Sequence, residues 1–254
     1  WRWNNLYDDA ASRRSRLLTL RPSAIGRARE ALQRPVLLAH RGAHDAMLQE
    51  NSLAALVAGA QHCDGVEFDV RFSADGVAVI VHDETLDQLF GVPRRVSDLS
   101  VADLAVLGVP TLAEALAAMP ATTLIDLELK EQPTDEFFTT LAAARGAEAE
   151  GVVVSSFYPG ALRTVAERAP GWSRWLNAET TAEAERATEL GCVGLSVAID
   201  LLDDASITRW RAAGLEVAAW TLRGVQGATW ASDLRLTALC VEGEGATAAR
   251  AATR

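Results

Sequence analysis

Residues 123–145 read TLIDLELKEQPTDEFFTTLAAAR, and this stretch contains one strand followed by one helix. Apolar and charged side chains alternate up to residue 129, which is the pattern of an extended strand whose two faces differ. Over 135–145 the apolar residues recur with the period of a helix. A strand that leads through a short turn into a helix indicates a parallel β–α unit.

The same unit recurs along the chain. The predicted strands are 36–39, 65–71, 123–129, 152–155, 174–177, 193–197, 217–221 and 238–241. The predicted helices are 52–61, 111–118, 135–145, 160–168, 180–189, 203–213, 225–232 and 245–253. Eight such units close an α/β fold of the (β/α)8 TIM-barrel type, for which about 250 residues is a typical length.

Two segments lie outside the eight units. An extra strand at 77–81 follows the second barrel strand as part of a short insertion, and residues 1–34 form an N-terminal helical extension. We therefore divide the chain into an extension at 1–34 and a barrel domain at 35–254. A doubly wound open sheet is the alternative, but no Gly-rich dinucleotide-binding or P-loop turn supports it.

Composition excludes several classes of protein. The formal net charge of −10 argues against nucleic-acid binding, which requires a basic surface. The three cysteines are far apart and form no metal-binding pair, and Cys192 and Cys240 lie in apolar runs where an inert buried thiol is expected. No apolar run is long enough to span a membrane, and no signal peptide is visible. We expect a cytoplasmic protein, with export left open because the chain begins at Trp1.

The N-terminal extension is rich in tryptophan and arginine, with Trp1, Trp3 and Arg13 among its residues and a helix predicted near 24–33. Such a segment suits peripheral contact with anionic lipid. We favour the alternative, in which it packs across the bottom of the barrel or frays. The oligomeric state is left open.

Lys130 is the only lysine among 24 basic residues, so it is expected to do what a guanidinium cannot. Lysine is a compact point charge that can contact a phosphate oxygen or a metal-bound anion. In an extended strand Asp126, Glu128 and Lys130 share one face. The competing interpretation is a solvated strand end with a Glu–Lys surface pair.

Polar residues also follow other strands, where a TIM barrel places its chemistry. Glu67, Asp69 and Glu128 offer hard oxygen ligands from adjacent strands, which suits one divalent cation, Mg²⁺ or Ca²⁺. His40 and His82 follow apolar strands directly, and imidazoles suit proton transfer near neutrality.

The remaining charges suit an anionic substrate. Arg41 and Lys130 can neutralise a phosphate, and the indole of Trp220 ends the seventh predicted strand at the same mouth. His44 and His62 do not follow strands and are expected to face solvent or to stand behind the site. Any one of these residues alone has an ordinary structural explanation, so the prediction rests on their combination.

The ordered motifs resemble those of glycerophosphodiester phosphodiesterases. They are His40-Arg41-Gly42, Glu50-Asn51-Ser52, Glu67-Phe68-Asp69-Val70, Ser73-Ala74-Asp75-Gly76, His82-Asp83, Pro110-Thr111-Leu112-Ala113-Glu114, Glu128-Leu129-Lys130, Ser156-Phe157 and Trp220-Thr221. The resemblance covers roughly residues 36 to 242. It implies a metal-dependent (β/α)8 hydrolase of lipid and glycerol metabolism that converts small glycerophosphodiesters to glycerol 3-phosphate and an alcohol.

Carried over by position, the resemblance implies three roles for the site residues. His40 and His82 are the acid/base pair, and Glu67, Asp69 and Glu128 hold the metal. The substrate contacts are Arg41, Lys130 and Trp220, with the indole against the glycerol or a neighbouring part of the substrate. Hydrolysis of lysophospholipids or sphingomyelin-type lipids is the nearer alternative function, and a catalytically silent binding barrel is the other.

The chain departs from the family pattern at several positions. Ser52 stands where the family has threonine, and Arg223 stands where asparagine is frequent, which adds positive charge at the mouth. The end of the last strand, 238–242, lacks the family's threonine and proline. The inserted segment 83–109 is short, which predicts an open site that admits bulkier diesters.

Overall fold

The computed structural model describes residues 21–253. The helices are α1 Ala24–Leu32, α2 Leu53–His62, α3 Asp87–Phe90, α4 Val101–Val106, α5 Leu112–Ala118, α6 Asp135–Arg145, α7 Pro159–Arg168, α8 Thr181–Ala184, α9 Asp204–Ala212 and α10 Gly243–Ala252. The strands are β1 Val36–His40, β2 Gly65–Phe72, β3 Ala78–Ile80, β4 Thr85–Leu86, β5 Val92–Arg95, β6 Leu124–Leu129, β7 Val152–Ser156, β8 Ser173–Ala178, β9 Gly194–Ala198, β10 Glu216–Leu222 and β11 Ala238–Val241.

Eight parallel strands form a closed barrel. Their order is β1, β11, β10, β9, β8, β7, β6 and β2, and pairing of β1 with β2 closes the ring. At that closure His40 lies opposite Glu67, and across the next pair Asp69 lies opposite Glu128. Helices follow the strands in alternation, so the predicted (β/α)8 fold is confirmed.

The opening stretch shows why its residues form these elements. Thr134 caps α6 by accepting a hydrogen bond from the backbone N–H of Phe137, and acidic Asp135 and Glu136 occupy the first turn. Phe137 and Leu141 are fully buried against the outside of the barrel. Arg145 in the last turn complements the helix dipole, and the bounds 135–145 agree with the prediction.

The bottom of the barrel is closed by α1. Ile25 is fully buried in the barrel interior with Leu38, Val153 and Trp175. The N-terminal extension therefore packs across the barrel over its helical part, while residues 1–20, with the predicted lipid contact, lie outside the described residues. Among the described helices, none is long and apolar enough to cross a membrane.

Two predicted helices are wrong in length or type. The segment 180–189 holds only the four residues of α8 and a 3-10 turn at Glu185–Ala187. The segment 225–232 forms a 3-10 helix at Ala228–Ser232, because Gly227 adopts a φ of 82° that interrupts an α-helical path.

The insertion after β2 is small. It contains the β4–β5 hairpin, α3 and α4, and it buries its own cluster of apolar side chains. That cluster is Val79, Val81, Leu86, Val96, Leu99, Leu104 and Val109.

Candidate functional site

The turn after β1 places the first group of site residues. Gly42 has a φ of 81°, and a Cβ there would lie 2.5 Å from the carbonyl carbon of Ala55, so only glycine fits. Arg41 before it also adopts a positive φ of 53°. This conformation directs the Arg41 backbone N–H to the Glu67 carboxylate, where it donates at 2.9 Å.

Three carboxylates meet at the carboxyl ends of β2 and β6. Glu67, Asp69 and Glu128 are 4%, 1% and 8% exposed, and one oxygen from each lies within 4.8 Å of the others. Burial and then repulsion from Asp69 raise the pKa of Glu128 to about 7, and the same causes place the pKa of Glu67 well above its usual value. Three buried acids that disfavour one another's charge are a donor set that a hard divalent cation would relieve.

Two cations stand beside these acids. The Lys130 ammonium lies 2.5 Å from a Glu128 oxygen and 3.4 Å from an Asp69 oxygen, and the Arg41 Nε lies 3.4 Å from the other Asp69 oxygen. Burial alone would raise the pKa of Asp69, but Lys130 and Arg41 together lower it. Asn51 adds a hydrogen bond of 2.8 Å to the same carboxylate.

The Arg41 guanidinium is already engaged. Its Nη1 donates to Glu50 at 2.7 Å, so it reaches the cavity as part of an ion pair. The sequence motifs include Glu50 and Asn51 without assigning them a role. In the structure Glu50 binds Arg41 and Asn51 binds Asp69. Ser52, the next residue, caps α2 through the backbone N–H of Ala55, so the change from threonine keeps the cap.

Each of the two predicted catalytic histidines is anchored by a carboxylate. His40 Nδ1 lies 2.7 Å from Glu242, and His82 Nδ1 lies 2.7 Å from Asp83. An ionised carboxylate at Nδ1 requires that nitrogen to carry the proton, which leaves Nε2 for the cavity. His40 Nε2 lies 4.0 Å from a Glu67 oxygen. The pKa of His82 is lowered, mainly because the ring is buried.

Glu242 is the residue that sequence reasoning missed. Its other oxygen accepts from Arg223 Nε at 2.5 Å, and His44 Nε2 lies 3.6 Å away. The pKa of Glu242 is lowered: burial opposes the shift, and the contacts with His40 and His44 outweigh it. Arg223 was expected to add free positive charge at the mouth, but its charge is paired with Glu242. The sequence did indicate this role, because Glu242 is an acidic residue directly after a barrel strand, where site residues are expected.

One cavity of about 420 Å³ joins these groups. All eight predicted site residues line it: His40, Arg41, Glu67, Asp69, His82, Glu128, Lys130 and Trp220. Trp220 packs edge-on against Phe157 at 5.5 Å between ring centroids, and its Nε1 donates to the Ser196 carbonyl at 3.2 Å. Lys130 also lies 5.7 Å from the Phe157 ring centroid, so aromatic rings form one wall beside the cations.

His44 and His62, which were expected to stand behind the site or to face solvent, do not line the cavity. His62 is exposed and bonds to the carbonyl of Ala58 on its own helix. His44 stands behind the site against Glu242. Cys192 and Cys240 are both buried thiols, and Cys240 lines the cavity. Burial raises the pKa of Cys192 to about 11.

Comparison with known proteins agrees with this geometry. Residues 40–243 match the model of the glycerophosphoryl diester phosphodiesterase family. The chain is 28% identical over 211 residues to the probable glycerophosphodiester phosphodiesterase 2 of Mycobacterium tuberculosis, covering 74% of this chain and 79% of that protein. Glycerophosphodiester phosphodiesterase 1 of Bos taurus is 35% identical over 122 residues, which are 40% of this chain and 36% of the relative. The chain thus spans only about a third of that mammalian relative.

Solved structures give the same result at the level of the fold. A phosphodiesterase of Oleispira antarctica in complex with the product sn-glycerol 3-phosphate superposes with a TM-score of 0.71 at 26% identity, covering 86% of this chain and 97% of that one. A glycerophosphodiester phosphodiesterase from Thermotoga maritima gives a TM-score of 0.69 at 23% identity, covering 87% and 98%. The family model spans most of the chain, and on that ground the chain belongs to the glycerophosphoryl diester phosphodiesterase family.

Proposed function

We propose that this protein hydrolyses glycerophosphodiesters to glycerol 3-phosphate and an alcohol with the help of one divalent cation. The observation that carries the proposal is the arrangement around one cavity of three buried carboxylates, two carboxylate-anchored histidines and the cations Arg41 and Lys130. Family membership and a relative bound to sn-glycerol 3-phosphate support this substrate class.

Glu67, Asp69 and Glu128 would hold the cation. Their buried oxygens are hard donors, and the raised pKa values of Glu67 and Glu128 indicate a site whose acids ionise together only when positive charge is added. A cation bound there would polarise a phosphoryl oxygen and help to orient the nucleophile. Mg²⁺ and Ca²⁺ both match these donors.

His40 and His82 move the protons. With Nδ1 held by Glu242 or Asp83, each ring presents Nε2 to the substrate. One Nε2 takes a proton from the nucleophile, which is water or the glycerol 2-hydroxyl. The other gives a proton to the leaving alkoxide as the phosphorus–oxygen bond breaks. Attack by the 2-hydroxyl gives a cyclic phosphate, which water then opens to glycerol 3-phosphate in a second step. The two anchors keep the tautomers fixed while this happens.

Lys130 and Arg41 contact the phosphate and neutralise the charge that grows on its oxygens. The Lys130 ammonium sits between Glu128 and Asp69, where a phosphate near the acids is within reach of one point charge. The Trp220 indole forms the adjoining wall beside Phe157 and packs against the carbon skeleton of the substrate.

The test is an assay of the purified chain with glycerophosphocholine, supplied with Mg²⁺ or Ca²⁺. We expect equal amounts of choline and glycerol 3-phosphate, and loss of turnover when a chelator is added. Release of phosphocholine would mean that the other ester bond is broken and would contradict the proposed reaction.

A matched assay with lysophosphatidylcholine separates the two lipid-related activities. Faster choline release from the lysolipid would replace the proposed substrate class. Binding of the cation without turnover of any diester would identify a silent barrel.

A further inference from the structure

A second group of candidate metal ligands lies outside the cavity, on the far side of the His40 ring. His40, His44 and Glu242 each offer one donor atom, and these three atoms lie within 4.8 Å of one another. His40 lines the cavity, whereas His44 and Glu242 do not. The proposed reaction uses Nε2 of His40, and the group lies on the Nδ1 side of the same ring. We call these three residues the histidine–glutamate cluster.

The distances within the histidine–glutamate cluster suit a small metal ion. Oε2 of Glu242 lies 2.7 Å from His40 Nδ1 and 3.6 Å from His44 Nε2. Nitrogen and oxygen ligands bound at about 2.0–2.1 Å to a tetrahedral Zn²⁺ lie about 3.3 Å apart, which falls between the two observed distances. Small rotations of the side chains would therefore place the three donors around one ion.

Glu242 is already aimed at both rings. Its Oε1 accepts from Arg223 Nε at 2.5 Å, which leaves Oε2 between the two imidazoles. Glu242 directly precedes α10, but its side chain does not cap that helix. The carboxylate is therefore held in place without being used up by the helix end.

The Nε2 atom of His44 points independently to a ligand. It is a buried atom that has no hydrogen-bond partner among residues 21–253, since 3.6 Å to Glu242 is too long for a hydrogen bond. A buried polar atom without a partner is costly and rare. The His44 and Glu242 side chains as a whole are 22% and 18% exposed, so an ion can reach them from solvent without crossing the cavity.

The donor set selects a different class of ion from the carboxylates in the cavity. Glu67, Asp69 and Glu128 offer only oxygens, which suit Mg²⁺ or Ca²⁺. Two imidazoles with one carboxylate suit Zn²⁺ and similar transition-metal ions, and water completes the coordination. The two sites therefore do not compete for the same metal.

We propose that the histidine–glutamate cluster binds Zn²⁺ and that the bound ion stops catalysis by fixing His40 in the wrong tautomer. Zn²⁺ takes the lone pair of Nδ1, so the proton leaves Nδ1 and Nε2 takes one up, and the ring stays neutral. As a base, His40 then has no lone pair that faces the cavity. As an acid, it can no longer form an imidazolium ion, because Nδ1 is occupied.

Only the inhibition rests on the proposed function, because it assumes that His40 moves a proton. Binding of Zn²⁺ to the cluster requires only the three donors. The two parts of the inference are therefore measured separately.

NMR of the histidine ring nitrogens tests binding without any substrate. The chain has four histidines, and long-range proton–nitrogen spectra show which ring nitrogen carries a proton or a metal. Zn²⁺ is added to the wild type while excess Mg²⁺ saturates the carboxylates. We expect shifts at His40 Nδ1 and His44 Nε2, a new proton on His40 Nε2, and no change at His62 or His82. Unshifted nitrogens at His40 and His44 would overturn the inference.

Choline release from glycerophosphocholine tests the inhibition. With Mg²⁺ in excess, saturating Zn²⁺ should lower turnover by about a hundredfold, which is the cost of losing a general acid or base. Further Mg²⁺ should not restore the rate, because the two ions bind to different residues. Recovery of the rate with Mg²⁺ would place Zn²⁺ at the carboxylates and would overturn the inference.

A variant assigns the inhibition to the cluster. His44→Gln removes one ligand, so the Zn²⁺ concentration that halves its activity should rise at least about tenfold, since even residues behind metal ligands contribute that much to affinity. His62→Gln is the matched control, because His62 is an exposed histidine on α2 outside the cluster, and it should respond as the wild type does. Each rate is compared with that of the same protein without Zn²⁺. Equal sensitivity of His44→Gln and the wild type would overturn the assignment.

The two proposals fail separately. If the wild type releases choline but its histidine nitrogens do not bind Zn²⁺, only the role of the cluster is lost. If no diester is turned over, the proposed function is lost, while the NMR titration still decides whether the cluster binds Zn²⁺. Because that titration uses the wild type, a variant that fails to fold leaves the inference open to refutation.

Discussion

Without the proposed cation, the stability of this protein should depend on pH, and Glu128 sets the size of the effect. Burial and Asp69 raise the pKa of Glu128 from 4.5 to about 7 in the metal-free fold. That difference corresponds to about 3 kcal/mol between the two protonation states. Since the folded protein binds this proton more tightly than the unfolded chain, the stabilisation is complete below about pH 4.5 and is lost as the pH rises through about 7.

The assay is thermal unfolding in the presence of a chelator at about pH 5 and about pH 8. Between these values Glu128 should cost about 2–3 kcal/mol, or about 5–10 °C in Tm for a chain of this size. Glu128→Gln mimics the protonated acid, so the variant should lose that part of the pH dependence. Adding Mg²⁺ or Ca²⁺ near pH 8 should restore the wild type, because the cation stabilises the ionised carboxylates.

The exposed Glu167 provides the control, and Glu167→Gln should behave as the wild type. Equal pH dependence in wild-type and Glu128→Gln proteins would refute the reasoning. It would show that Lys130, 2.5 Å from Glu128, already compensates the buried charge.

Three further predictions concern activity. Glu242→Gln should lower kcat about tenfold with little change in KM, because a neutral amide replaces the carboxylate in the charge-assisted bond to His40. Glu244→Gln, at an exposed acid two residues away, should leave kcat unchanged. Equal kcat values for the Glu242→Gln and wild-type proteins would contradict the anchoring role of Glu242. Lys130→Arg should lower kcat/KM at least about tenfold, because the planar guanidinium group does not fit the 2.5 and 3.4 Å contacts that the ammonium makes. A wild-type kcat/KM in this variant would show that positive charge alone suffices. His40→Ala and His82→Ala should each lower kcat by about 10²–10⁴, measured by choline release, and near-normal turnover in both would exclude paired acid/base catalysis.

Alternation within strands made much of the site predictable. The alternating pattern of β6 placed Asp126, Glu128 and Lys130 on one face. Because TIM-barrel sites lie at the carboxyl ends of the strands, that face was expected at the same mouth as Glu67 and Asp69. Both inferences need only local periodicity and a fold class, and the structure brings these residues together around one cavity.

Partners from distant strands could not be predicted in this way. The end of β11 was interpreted as a departure from the family pattern, yet Glu242 there anchors His40 and pairs with Arg223. Which strand ends face each other depends on barrel closure and register, and single-strand patterns carry neither. The predicted helix at 225–232 failed for a local reason, since Gly227 adopts a φ of 82° that interrupts an α-helical path.

The contact between His40 and Glu242 joins residues 202 positions apart, at the first and last strands of the barrel. A chain that leaves the ribosome unfinished could form β2 and β6 with their acids, but its His40 would lack its anchor. Long-range contacts of this kind form late and slow folding. Orientation of the proposed acid/base histidine therefore depends on completion of the barrel, and chains that end before β11 should be inactive even where most of the barrel is present.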